Sequence, residues 1–251
     1  PPDGDDGDDN DNDKTHAFVK MPTWDDDHHR PGVADVTSAL VGGLAETLTD
    51  GKEIDAIICA SGGWQGDPPF PKPDVDDDEF MESAIAYGQT IDKMMEMNLY
   101  PVLAAGYAAH RFMADEGLFV VIGATAALAP TPGMLGYGLS KVGAHHFIHT
   151  LGETTGKAVT TKTRRQKARR LRKNSAYLDT LSVVGILPTT IDTPSNREAM
   201  PDANFNQWTQ PGHIAKEIGT WIRTPPLRPH SGSLVKVHPD NNGGAAFNLV
   251  R

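Results

Sequence analysis

Three compact apolar runs, Ile54 to Ala60, Leu118 to Ala124 and Leu181 to Leu187, decide most of what this chain can fold into. Each has the length of a strand and lacks the polar alternation of a strand with one wet face, so each reads as a strand buried on both sides of a parallel sheet. The segments between them carry the other period. Val33, Val36, Leu40, Val41, Leu44 and Leu48 recur at three- and four-residue steps, which predicts a helix from Gly32 to near Gly51. Ile85 to Met113 predicts one or two helices with a boundary near Tyr100, because Pro101 disfavours helical backbone in the residue before it. Further helices are expected from near Tyr137 and over Gly212 to Ile222, and short strands at His16 to Met21 and Ser233 to Val237. Strands alternating with helices predict an α/β fold, a doubly wound and mostly parallel sheet with helices on both faces and ligands at the strand ends.

The 251 residues suffice for one large α/β domain. Residues 1–14 read as an acidic, disordered tail, with seven Asp in the first 13 residues, and 15–251 as a single domain. Two stretches read as additions to that domain. Residues 67–79 are acidic and rich in proline, a surface insertion by composition, and 157–175 are strongly basic, with nine of the 23 Lys and Arg falling between Lys157 and Lys173. Overall the chain is acidic, at a formal charge of -10, so general affinity for a phosphate backbone is not expected. The basic stretch reads as a solvated insertion, or else as a docking patch for an acidic protein or RNA. One Cys excludes a disulfide within the chain. No run approaches the roughly 18 apolar residues of a membrane span, and no secretory signal opens the chain. The expectation is a cytoplasmic protein, or a mitochondrial one if a targeting segment has been removed from ahead of Pro1.

Chemistry concentrates at Gly133-Met-Leu-Gly-Tyr137-Gly-Leu-Ser-Lys141. Tyr137 and Lys141 are four apart and share one helix face. A cation there would favour tyrosinate, so Tyr137 could give a proton to a carbonyl or imine and regain it, while Lys141 could bind ribose hydroxyls. The spacing alone also fits a chance pair; its place beyond a strand end and a proline-containing loop favours the catalytic reading.

Five segments in order, Asp55 to Trp64, Gly123 to Ala127, Thr131 to Lys141, Leu187 to Pro194 with Asn196-Arg197, and Ser231 to Leu234, resemble the short-chain dehydrogenase/reductase family and, within it, the dihydropteridine reductase group. The resemblance covers approximately Thr15 to Val237. It implies a Rossmann-like sheet, NADH as cofactor with NADPH as the other candidate, a pterin as substrate, and a homodimer. Tyr137 and Lys141 are the implied catalytic pair, and Asn98 is placed where many members support the lysine and a relay water; a solvent-facing Asn is the other reading. Ala60, Ser61, Gly62, Lys141, Pro188 and Thr193 are the implied cofactor contacts. Trp64, Ala124, Met200 and Trp208 are the implied substrate side, although Trp64 and the 196–208 segment could equally be loop anchors. Most members carry a catalytic serine where this chain has Ala124, and the dihydropteridine reductase group similarly lacks it. Thr125 is a poor substitute. The implied dimer pairs the Asn98 and Tyr137 helices, with Leu99, Val102, Leu103, Phe147 and Ile148 available either for that interface or for the core.

No metal site is expected. His28-His29 lie beside Asp25 to Asp27, and His145 and His149 share a helix face, but neither group carries a recognised ligand motif. Cys59 reads as a small buried hydrophobe. The family's opening strand, glycine-rich turn and helix are not recognisable: Gly4 and Gly7 lie among aspartates, and His16 to Met21 is most similar to the third strand. The fold expected is therefore one without its first two strands and first helix in this chain. Two functional expectations follow. One is NADH-dependent reduction of quinonoid dihydrobiopterin to tetrahydrobiopterin, with the phosphate-binding unit supplied from beyond this sequence; the other is a noncatalytic structural or interaction subunit that has lost dinucleotide binding.

Overall fold

A computed structural model describes residues 19–22, 30–49, 51–155, 181–240 and 243–250. The acidic tail, His28-His29 and the basic stretch lie outside the described residues.

Five strands form one sheet in chain order: β1 (Ile54–Cys59), β2 (Met113–Ile122), β3 (Ser182–Pro188), β4 (Ser233–Pro239) and β5 (Ala245–Leu249). The first four are parallel and β5 returns antiparallel to β4. The apolar runs are continuous because both sides of the central strands are covered. Phe119, Val121, Val183 and Leu187 point to one face, and Leu118, Val120, Val184 and Ile186 to the other, each with essentially no exposure. On the first face lie α3 (Tyr100–Phe112) and α4 (Leu135–Thr155), with α1 (Val33–Thr47) packed on α3 and α2 (Asp77–Asn98) on α4. On the second lies α6 (Pro211–Arg223), contributing Ile214, Ile218 and Trp221; a short α5 (Pro194–Ala199) precedes it. This is a doubly wound α/β sheet of Rossmann-like form.

Several details depart from the sequence-based expectations. The described part of His16 to Met21, with Pro22, is not a strand. Val19 instead packs into the groove left by Gly43 of α1, where an added Cβ would come 2.3 Å from Val19 Cγ1. Strand β2 starts at Met113, five residues early; pairing jumps from Ile54 with Met113 to Ala56 with Leu118, and the extra residues bulge through Glu116 at φ 60°. Strand β5 was not expected. The break near Tyr100 falls at Leu99, with Pro101 in the first turn of α3, where its missing amide costs nothing.

Helix α4 passes very close to the sheet. A Cβ on Gly152 would lie 2.1 Å from Gly232 Cα, so the helix backbone rests on the loop before β4. Gly232 has φ 86°, and Ser231 beside it accepts from Val183 N and donates to Leu181 O, stitching that loop to β3.

Four of the five residues offered by sequence for a dimer or the core go to the core, Leu103 being half-buried outside the clusters. Val102 and Ile148 are buried, and Leu99 and Phe147 pack partly buried against the same cluster. They form the inward stripes of α3 and α4, which the sheet needs; the outward apolar stripe is Tyr107, Leu135, Leu139 and Val142.

Candidate active site

Residues 67–79, read from sequence as an insertion, do two structural jobs. Asp76 caps α2 by accepting from Glu79 N at 2.9 Å, so 77–79 form its first turn. Asp67 sits at the start of α4: its carboxylate accepts from Leu135 N at 2.6 Å, and its own N–H donates to Gly133 O at 2.8 Å. A carboxylate there satisfies an orphan amide and complements the helix dipole. The helix that carries Tyr137 and Lys141 is therefore anchored by the loop leaving β1.

That loop supplies the other half of the site. Ala60, Ser61 and Gly62 emerge exposed from the C-terminal end of β1. Gly62 takes φ 148°, and an added Cβ would stand 2.6 Å from Asn98 Oδ1 and 3.1 Å from Lys141 Nζ. Loop, α2 and α4 thus converge on one point that only glycine leaves open. Asn98 is fully buried, which rules out the solvent-facing reading. Its Oδ1 accepts from Gly63 N at 3.1 Å and its Nδ2 donates to Met94 O at 3.0 Å, so its amide orients the loop.

Lys141 is buried, with Nζ donating to Ile122 O at 3.1 Å. Burial pulls its pKa down to about 8, opposed weakly by Cys59. Burial also raises the pKa of Tyr137, keeping its hydroxyl protonated in the free protein. Cys59 is buried beside Ser61 with its thiol pKa raised by burial, in keeping with a small apolar role.

Ala124 is buried at the end of β2, and its amide donates to His145 Nε2 at 3.2 Å. Thr125 Oγ1 is committed to Leu187 O at 2.8 Å. Trp64 is 57% exposed, with its indole N–H on Met134 Sδ at 2.9 Å, and lies over the entry to α4.

The remaining expected residues, Pro188 apart, belong to a strap over 190–210. Pro188 is buried at the end of β3. Thr193 caps α5 by accepting from Asn196 N at 3.3 Å. Arg197 is bidentate on Asp192, at 2.5 and 2.7 Å, and lies over the Phe205 ring; Gln210 also donates to Asp192. These donors hold the Asp192 carboxyl down at about 2. Trp208 is buried edge-on to Phe205, with centroids 4.7 Å apart, while Met200 is exposed. Apart from the Gln210 carbonyl, which accepts from His213 N in the first turn of α6, the hydrogen bonds and ring contacts named for the strap run within 190–210. The structure thus brings Gly62, Asn98 and Lys141 together directly, and holds Thr193, Met200 and Trp208 on a separate element.

Among the described residues, no three His, Cys, Asp or Glu side chains group as a metal site, and no helix is long and apolar enough to cross a membrane. Asp67 and His145 were missed as site residues. His145 continues the four-residue step of Tyr137 and Lys141, a signal present in the sequence; Asp67 acts across 68 positions and left none.

Residues 34–163 match the family profile described as short chain dehydrogenase. The chain is 36% identical over 184 residues to a dihydropteridine reductase of Dictyostelium discoideum, a match covering 73% of this chain and 66% of that protein. It therefore spans just under two thirds of that relative's length. Among solved structures, it resembles an oxidoreductase from E. coli, with TM-score 0.53 and 13% identity over 82% of this chain and 69% of the other. It also resembles a dehydrogenase from Burkholderia cenocepacia with bound NADP, with TM-score 0.51 and 18% identity over 85% and 69%. At such identities these likenesses concern the fold.

Proposed function

The chain belongs to the short-chain dehydrogenase family, and from that premise we propose that it acts as an NAD(P)H-dependent oxidoreductase, specifically an NADH-dependent dihydropteridine reductase that returns quinonoid dihydrobiopterin to tetrahydrobiopterin. The observation that carries the reading is the convergence of Gly62, Asn98 and Lys141 beneath an exposed loop at a parallel strand end, one helical turn from Tyr137. The pterin as substrate is supported by the 36% identical relative and by Ala124, which leaves no serine hydroxyl beside Tyr137 in the implied arrangement.

The residues present fit the nicotinamide half of the cofactor. Gly62 presses its backbone against Asn98 Oδ1 and the buried Lys141 ammonium, a close approach that a Cβ would block, while the loop's other side stays exposed to a ligand. Ala60, Ser61, Gly62, Lys141, Pro188 and Thr193 would hold it, and when bound it supplies the hydride. Among the described residues there is no strand, glycine-rich turn and helix to cradle a pyrophosphate, so the reading assigns that part to polypeptide beyond them.

The chain's own residues then have definite tasks. Tyr137, protonated in the free protein, gives its proton to the pterin ring nitrogen that gains charge. Lys141 binds the ribose hydroxyls and stabilises the tyrosinate left behind, its charge held in a low-dielectric site by Ile122 O. Asn98 fixes the Gly62-Gly63 loop and supports a relay water. Trp64, Ala124, Met200 and Trp208 are assigned to the pterin side. The Tyr107, Leu135, Leu139 and Val142 stripe is assigned to a homodimer, and the basic residues 157–175 to an acidic protein or RNA partner.

The decisive assay is NADH oxidation with quinonoid dihydrobiopterin by the complete native species, beside Tyr137→Phe. Loss of turnover on the order of 10²-fold or more in the variant is expected; undiminished turnover in the variant, or none in the parent, refutes the mechanism. A second reading, a noncatalytic interaction subunit, draws on the lack of a phosphate cradle among the described residues. Titration of the 251-residue chain with NADH separates the two contributions, since micromolar binding would show that no added cradle is needed.

A further inference from the structure

The turn that follows β2 is pinned at four successive residues by four different partners. Ile122 O accepts from Lys141 Nζ at 3.1 Å, Gly123 N donates to Ile186 O at 2.8 Å, Ala124 N donates to His145 Nε2 at 3.2 Å, and Thr125 Oγ1 donates to Leu187 O at 2.8 Å. Two of the partners are backbone carbonyls of β3. The other two are side chains of α4, one helical turn apart and on the face that also carries Tyr137. His145 is 5% exposed, and its ring lies so close to the turn that an added Cβ on Gly123 would come 2.5 Å from Nε2. No role for this histidine follows from the chemistry proposed above.

We propose that His145 is a positioning residue: by accepting the Ala124 amide it ties the turn that walls the substrate side to the helix that carries the reacting tyrosine, so that wall and proton donor keep one spacing. The inference rests on the reading of Tyr137 and Lys141 as the reaction centre. The bond itself stands on geometry and on the protonation it requires. An imidazole accepts at Nε2 only when neutral and protonated at Nδ1. Burial, then the Lys141 charge, then His149, pull the pKa of His145 down to about 4, so the ring is neutral through the working range of any intracellular enzyme. The amide it serves is buried in Ala124, where water cannot replace a lost acceptor. Lys141 and His145 together make α4 the gauge of the turn. With Ala124 offering no hydroxyl, the backbone placement of that wall is what this position contributes.

Two variants separate positioning from packing. His145→Gln offers a carbonyl oxygen near the place of Nε2, whereas His145→Leu fills the space and accepts nothing. Hydrogen exchange at the Ala124 amide, followed by NMR, should show protection in the parent and the Gln variant and faster exchange, tenfold or more, in the Leu variant. In the complete reductase, kcat should fall on the order of 10- to 100-fold in the Leu variant, with KM for NADH held within about twofold, and recover in the Gln variant. Unchanged Ala124 protection in the Leu variant overturns the bond. Lost protection with unchanged kcat overturns the positioning role, as does equal loss of kcat in both variants. A parent without pterin turnover strikes the reductase reading by itself, and exchange at Ala124 still reports whether His145 holds the turn.

Discussion

Replacing Lys141 by Met should make the protein more stable and leave it inactive, and the size of the gain should depend on pH. Lys141 is 5% exposed, and its ammonium, with three hydrogens to place, donates to Ile122 O. Its pKa falls from 10.5 to about 8, which at 1.36 kcal/mol per unit means that keeping the charge buried costs about 3 kcal/mol at pH 7. The folded value lies below the unfolded one, so between about 8 and 10.5 the unfolded chain binds more protons and stability rises with pH. Below about 8 the full penalty applies; above 10.5 it is gone. Methionine fills similar space without the charge. Urea midpoints should therefore put Lys141→Met about 1 to 3 kcal/mol above the parent at about pH 7, with most of that advantage gone at about pH 10. A gap that does not change with pH, or a Met variant clearly weaker than the parent at neutral pH, would refute the reasoning.

Four further outcomes are expected. Gly152→Ala should destabilise by about 1 to 3 kcal/mol in denaturant unfolding, because backbone of Gly232 occupies the Cβ position. Gly42→Ala, also helical but with nothing within 4 Å, should instead stabilise by up to about 1 kcal/mol; two gains of the same sign would refute the close approach. Gly62→Ala should cut kcat/KM at least tenfold with an unchanged far-UV spectrum, since its Cβ meets Asn98 and Lys141 and its φ disfavours a side chain; full activity would show that the loop has room. Asp67→Ala should cost about 1 kcal/mol of stability by freeing the Leu135 amide, and an unchanged urea midpoint would deny the cap.

The central sheet was readable because β2 and β3 are buried on both faces, which leaves uninterrupted apolar runs such as Leu118-Phe-Val-Val-Ile122. Where burial is one-sided the signal weakens. Strand β5 is short and half-exposed, though its antiparallel pairing with β4, Gly243 at φ 77° and Asp240 accepting from Gly244 N fit the Asp and Gly residues between the two strands in retrospect. His16 to Met21 has strand composition, but its described residues pair with no strand and Val19 settles on a helix instead. Composition also concealed Asp76 and Glu79, a helix-start signal at three-residue spacing inside what read as an acidic insertion. At the candidate site, the four-residue spacing of Tyr137 and Lys141 fitted a chance pair as well as a catalytic one, and only its place beyond a strand end and a proline-containing loop favoured the second. Asn98 required tertiary contact to distinguish a buried orienter from a surface amide, and telling core from exposed apolar residues required knowing which side of α3 and α4 the sheet consumes.

The bonds between Asp67 and the first turn of α4 have a mechanical consequence. Past the Gly62 to Trp64 loop the chain is held first at Gln65, by Thr90 Oγ1, and then at Asp67, by the amide of Leu135 two residues before Tyr137. The loop and the start of the helix can only shift as one piece or part at Asp67. The end of β1 and the helix turn before the tyrosine are thereby tied by a strut of a few residues, apart from the sheet's own pairing.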